Sequence, residues 1–193
     1  MSAVFSQPTA SFSINYPNPV CNPAVISFTN TSTGTGLTYA WNFGVSAGTN
    51  STLQNPSVTY LTCGTFNVSL TVTDGNGQSA SIMQAVTVHC SPTASFTVTQ
   101  SSGCSPLLVH FNNTSTAGSG SITSYAWDFG DGSATSTAKT VTHKYNPPGL
   151  YYVKLISYSN YSGQKGACRD SITKPVRTFA LPVVDYTQSA TCI

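Results

Sequence analysis

The sequence predicts an all-β chain of two tandem antiparallel sandwiches. Three observations predict it: an internal repeat of about 85 residues, period-two alternation of apolar and polar side chains within each copy, and turn-forming residues between the alternating runs. The repeat is read directly. "PTASFSI" at Pro8 recurs as "PTASFTV" at Pro92, "FTNTSTG" at Phe28 as "FNNTSTA" at Phe111, "YAWNFG" at Tyr39 as "YAWDFG" at Tyr125, and "GTFNVSLTV" at Gly64 as "GLYYVKLIS" at Gly149. A third copy opens at "LPVVDYTQSATCI", where Pro182 takes the place of Pro92 and Tyr186 that of Phe96. The starting prolines lie 84 and 90 residues apart, which divides the chain into 1–7 (a leader remnant or an expression start), 8–91 and 92–181 (two whole modules) and 182–193 (the first strand of a third).

Composition supports packed modules and narrows function. The 193 residues are 39% hydrophobic and 11% aromatic, enough apolar area for cores, yet only 6% are charged and the formal net charge is +2. That balance leaves no basic surface for nucleic acid. No apolar run approaches the ~20 residues that a membrane-spanning helix needs. "MSAVFSQ" has neither a basic start nor an apolar stretch of a signal peptide.

Within the copies, Phe66, Val68, Leu70 and Val72 alternate with Asn67, Ser69, Thr71 and Thr73, the pattern of a half-buried strand. "DGNGQ" at Asp74 then suits a hairpin turn at Asn76 and Gly77. In "YAWDFGDGS", Tyr125, Trp127 and Phe129 share one parity and point inward, while "GDG" turns the chain. Trp127 and its counterpart Trp41 are therefore core residues. Copy one writes the same stretch as "WNFGVSAG", with Asn42 and Val45 in place of the acids Asp128 and Asp131. Chemistry carried by those acids would be missing from copy one.

Other candidate sites lack motif context. Five acids and three histidines are present, and His89, His110 and His143 stand far apart on predicted strands, so the reading is a chain without an enzyme site and without a cofactor. Sequons at Asn30, Asn113 and Asn160 arise readily in a chain this rich in Asn, Ser and Thr. Six cysteines with no C-x-x-C and no histidine cluster point to disulfides in an oxidising compartment, hence a secreted or cell-surface protein. Cys21, Cys104 and Cys192 hold equivalent places before the second strand of each copy. A hairpin turning at Asn76 and Gly77 pairs residues whose numbers sum to 153, which sets Cys63 opposite Cys90; Cys21 with Cys63 is an alternative. In copy two, Cys104 with Cys168 competes with Cys168 to Cys90.

"YAWDFGDGS", then "KTVTHKYNPPGLYYVKL", resembles the polycystic-kidney-disease (PKD) domain, whose signature is W-D-F-G-D-G followed by H-x-Y and by G-x-Y-x-V-x-L. Here those elements are Trp127 to Gly132, His143 to Tyr145, and Gly149, Tyr151, Val153 and Leu155, with nearly the whole of copy two covered. Copy one keeps Tyr60, Gly64, Phe66, Val68 and Leu70 but lacks the histidine and the GDG. The resemblance implies an immunoglobulin-like sandwich acting as a spacer, an adhesion unit or an accessory module of a secreted hydrolase. It also implies calcium as the one metal worth testing, at Asp128 and Asp131. Tandem cysteine-bearing copies with "FTNTST" are similar to long surface proteins of gliding and polysaccharide-degrading bacteria.

Two function classes follow, a structural spacer and a module that binds polysaccharide or another surface protein, with neighbouring repeats of the same chain as further partners. A binding face is expected where the copies differ. Aligning Gly64 with Gly149 sets the polar row Asn67, Ser69, Thr71 and Thr73 against Tyr152, Lys154, Ile156 and Tyr158, with Tyr161 beyond. Outward aromatics bring large contact area at low entropic cost, so this row is the candidate ligand face unless another element covers it.

Overall fold

The computed structural model describes residues 6–18, 20–45, 50–161 and 168–183, so most of the third-copy segment, Cys192 included, lies outside the described residues. These residues form strands and no helix. The chain divides into two compact units: unit 1 holds Met1–Pro92, Ala117–Ile122 and Tyr158–Arg169, and unit 2 holds Thr93–Thr116, Thr123–Ser157 and Asp170–Ile193. Unit 1 therefore takes in two short segments of the second sequence copy.

Copy one supplies β1 (Phe12–Asn15), β2 (Ala24–Asn30), β3 (Thr38–Asn42), β4 (Ser57–Tyr60), β5 (Gly64–Thr73) and β6 (Ser79–Val88), in sheets ordered β1-β2-β4 and β3-β5-β6. Copy two supplies β7 (Phe96–Val98), β8 (Ser102–Cys104), β9 (Leu107–Asn113), β10 (Ser121–Asp128), β11 (Thr140–Tyr145), β12 (Gly149–Asn160) and β13 (Cys168–Phe179), in sheets ordered β11-β9-β7 and β10-β12-β13-β8. This is the immunoglobulin-like sandwich in tandem. One detail departs from a purely antiparallel fold, because β8 runs parallel to β13, with Phe179 opposite Cys104. An isolated parallel bridge from Cys21 to His89 repeats that pairing in copy one.

Alternation decides what is buried. On β5, Val68, Leu70 and Val72 are inaccessible. The outward hydroxyls pair across the ladder instead of facing ions: Thr71 Oγ1 lies 2.8 Å from Ser81 Oγ, and Thr73 Oγ1 2.8 Å from Ser79 Oγ. Each such cross-strand pair adds a few tenths of a kcal/mol to about 1 kcal/mol. The β5–β6 register corrects the expected hairpin by one residue. Thr73 faces Ser79, so partners sum to 152 and the connection is a five-residue loop instead of a two-residue turn. Asp74 causes this by accepting the amides of both Asn76 and Gln78 at 2.9 Å, which closes a wider loop whose left-handed residue is Gly77.

The two cores match position for position. Phe12, Phe28, Trp41, Phe43, Tyr60, Val68 and Leu70 fill the first, and Phe96, Phe111, Trp127, Phe129, Tyr145, Val153 and Leu155 the second. Trp41 is 1% exposed and Trp127 0%. Truncating Trp127 to Ala should cost ~3 to 5 kcal/mol, read as a fall in the urea midpoint of copy two. A loss under 1 kcal/mol would show that the indole is not a main support of the core.

Candidate functional site

The corner that carries the family-like motif is built the same way twice. Trp41 exchanges backbone hydrogen bonds with Ser51, and its indole N–H donates to the Leu53 carbonyl at 2.9 Å. Trp127 does the same with Ser136 and with the Ala138 carbonyl, also at 2.9 Å. One residue on, Asn42 Oδ1 and Asp128 Oδ1 accept the amides of Gly44 and Gly130 at 2.9 Å. Both glycines have positive φ, and a Cβ on Gly130 would fall 2.6 Å from the Tyr152 carbonyl oxygen, so no side chain fits there. Tyr60 and Tyr145 close the corner from the opposite sheet by donating to the Phe43 and Phe129 carbonyls. Burial, reinforced by Tyr16, pushes the Tyr60 hydroxyl up to about 12; burial and then Asp131 push Tyr145 up as well. Both hydroxyls therefore stay protonated as donors.

Copy two adds one polar pair to this corner. His143 Nε2 lies 2.7 Å from Asp131 Oδ2, and the imidazole stacks on Phe129 with centroids 4.0 Å apart and planes within 2°. The other carboxylate oxygen accepts the amide and hydroxyl of Ser133. Burial alone would raise the Asp131 carboxyl, but the hydrogen bonds from Ser133 and His143 outweigh it and hold the group below the usual carboxylate range. Both oxygens of Asp131 are thus engaged within the corner, and Asp128 spends one on Gly130. Copy one has Val45 and Val58 at these two places, packed against its core. The structure gathers no group of three or more His, Cys, Asp or Glu able to hold a metal ion among the described residues.

The outward row of β12 is discontinuous. Tyr152 is 60% exposed and Lys154 is exposed, both in unit 2, whereas Ile156 is half-buried. Tyr158 and Tyr161 belong to unit 1 and are half-buried too. Tyr161 stacks on His89 at 3.4 Å between centroids and donates to the Val20 carbonyl; burial lowers the His89 imidazole below its usual value. Beside the start of β12, where Thr178 donates to the Pro147 and Gly149 carbonyls, β13 exposes Phe179 with the Arg177 guanidinium 5.6 Å from its ring centre. Sequence reasoning missed these two. The alternation of β13, with Val176 and Thr178 inward, was the signal available.

The cysteines pair as Cys63 with Cys90 and Cys21 with Cys168, at Cα separations of 4.9 and 5.8 Å, and Cys104 is free and exposed. The expected alternatives of Cys104 or Cys90 with Cys168, and of Cys21 with Cys63, are corrected accordingly. Cys104 lies in unit 2 and Cys168 in unit 1, while within unit 1 the β5–β6 ladder, ending with Gly64 opposite Val88, brings Cys63 to Cys90 and leaves Cys21 for Cys168.

Comparison with known proteins agrees with this geometry. Residues 6–90 and 89–174 each match the PKD domain family, which covers most of the chain. The chain belongs to that family, twice over. A collagenase, ColA of Clostridium perfringens (strain 13 / Type A), is 52% identical over 44 residues, which are 23% of this chain and 4% of the collagenase. The solved PKD1 domain of the Vibrio cholerae metalloprotease PrtV is 33% identical, covering 46% of this chain and 96% of that domain with a TM-score of 0.39. The PKD1 domain of Vibrio anguillarum Epp is 27% identical, covering 47% and 96%, with a TM-score of 0.39.

The Asp131 pair has a pH signature. A carboxyl held low in the folded state contributes stability that is present above its ordinary value of about 3.9 and is lost as pH falls through the lower folded value. Calorimetric melting of the chain and of Asp131→Asn should therefore converge between about pH 5 and pH 2, with the parent protein losing the larger share. Parallel pH profiles would show that the pair adds nothing.

Proposed function

We propose that these two PKD modules are a non-catalytic spacer and adhesion segment of a larger secreted or cell-surface protein. The observation that carries this reading is that the copies share their aromatic cores and the indole, glycine and tyrosine hydrogen bonds of the corner, whereas copy one surfaces its strands with small uncharged hydroxyl pairs. Such a surface suits repetition without self-association. Two disulfides support an oxidising location. The similarity to part of a collagenase supports attachment to a hydrolase elsewhere in the whole protein, of which this chain matches only 4% in that relative.

A second reading, binding of polysaccharide or a surface protein by copy two, is favoured by one specific feature: Tyr152 and Lys154 stand exposed where copy one has Asn67 and Ser69. All seven Lys and Arg of the chain also fall between 139 and 177, so copy two alone carries positive charge on its surface. Replacing the exposed Tyr152 and Lys154 by alanine in the whole protein, which leaves residues 158–169 of unit 1 and the Cys21–Cys168 bond intact, separates the two readings. Retained adhesion and retained action on insoluble substrate identify a spacer, and loss of either identifies specific recognition. For the recognition arm, Tyr152→Ala with Lys154→Ala should weaken retention on insoluble chitin, cellulose or host matrix by about tenfold or more. Unchanged retention on every matrix would dismiss this face.

A further inference from the structure

Cys104 occupies the position of Cys21 in sequence context, in the backbone hydrogen bond that follows it and in parallel pairing. Each cysteine is followed by one residue and a proline, Cys21-Asn22-Pro23 and Cys104-Ser105-Pro106. In each, the amide after the cysteine donates to the end of the copy's last strand, Asn22 to the His89 carbonyl at 3.0 Å and Ser105 to the Phe179 carbonyl at 2.8 Å. In each, the cysteine itself is the parallel partner of that residue, Cys21 of His89 and Cys104 of Phe179. The sulfur of Cys21 is bonded, and its partner is Cys168, the first residue of the last strand of the next sequence copy. Aligning Val86 with Val176 puts Gln78 at that place in copy one, so copy one offers no such cysteine. The bond thus has a direction along the chain, from the cysteine before the second large strand of one copy to the cysteine opening the last strand of the following copy. Cys104 has the first half of this arrangement, exposed and free.

We propose that Cys104 is a covalent docking site for a following immunoglobulin-like module that bears a cysteine at the first residue of its last strand. The other cysteines among the described residues are already bonded to each other, which leaves them unable to serve. The recurrence of the repeat at Pro182, with Cys192 again in the Cys21 position, supplies the sequence context for such a module. The reaction is ordinary thiol–disulfide exchange. The Cys104 thiolate attacks one sulfur of a small-molecule or protein disulfide, and the partner thiolate then displaces the second sulfur. One S–S bond forms, one breaks, and the oxidant leaves as two thiols carrying the two protons. The proposal is independent of whether the array acts as a spacer or as a binder.

Peptide mapping of the whole protein from its native source tests this. Free thiols are blocked by maleimide before unfolding, and the protein is digested without reduction. The expected result is a Cys104 peptide joined to a peptide from the last hairpin of a downstream module, released by reductant. A maleimide-labelled Cys104, or its linkage to any other cysteine such as Cys192, overturns the proposal. A second measurement guards against ambiguity: Cys104→Ser in the whole protein should expose one additional thiol per chain, located on the downstream module. An unchanged thiol count overturns the proposal equally.

Discussion

Each module depends on one buried indole whose N–H is satisfied. A tryptophan brings a large apolar area to a core, but it carries a donor that costs free energy if left unpaired. Trp41 and Trp127 meet both demands with the same partners: two phenylalanine rings within 6 Å, Phe12 and Phe28 or Phe96 and Phe111, and a loop carbonyl for the nitrogen. Anchoring that carbonyl ties Leu53, on the way from β3 to β4, and Ala138, on the way from β10 to β11, to the buried indole. The glycine corner and the tyrosine hydroxyl then secure the same turn from either side.

The difference between the copies at this corner obeys a simple electrostatic constraint. Removing one member of a hydrogen-bonded polar pair leaves the other without its partner, which is costlier than replacing both by apolar groups of similar size. Asp131 and His143 in copy two correspond to Val45 and Val58 in copy one, so both members change together. Phe129, on which the imidazole stacks, is matched by Phe43 in the other core. The corner can thus be polar or apolar without disturbing the indole beneath it.

Much of this was legible in the residues, because period-two alternation states which side chains face inward and the repeat states it twice. Trp127 and Phe129 needed nothing more. The recurring "FTNTST" looked like a set of sequons, yet Asn30 and Asn113 each accept the amide two residues on, and Ser32 and Ser115 bond the backbone of Ser11 and Ser95 in both directions. The motif is therefore a hydroxyl lacing between strands. What alternation cannot state is what lies over an outward face, and Tyr161, beyond the end of the outward row, stacks on His89. Nor can pairing arithmetic confined to one copy find Cys21 with Cys168, since it treats each copy as closed while residues 158–169 belong to unit 1. The one-residue error in the β5–β6 hairpin came from Asp74, whose side chain closes a wider loop than the turn residues alone suggest.

The Cys21–Cys168 bond also sets the route that tension takes through the chain. The two sulfurs are 147 positions apart in sequence, so 146 residues lie inside the loop they close. A pull on the chain before Cys21 and after Cys168 crosses covalently through the sulfur bridge, so the backbone of β2 through β12 is not stretched along its length. Only β1 and β13 stand on the loaded path. Paying out the enclosed residues would lengthen the chain by about 500 Å at ~3.4 Å per residue, and that reserve is locked while the bridge holds. While the bridge holds, stretching can peel β1 and β13 and go no further; once it is reduced, a pull strong enough to unfold the enclosed strands can draw on that reserve.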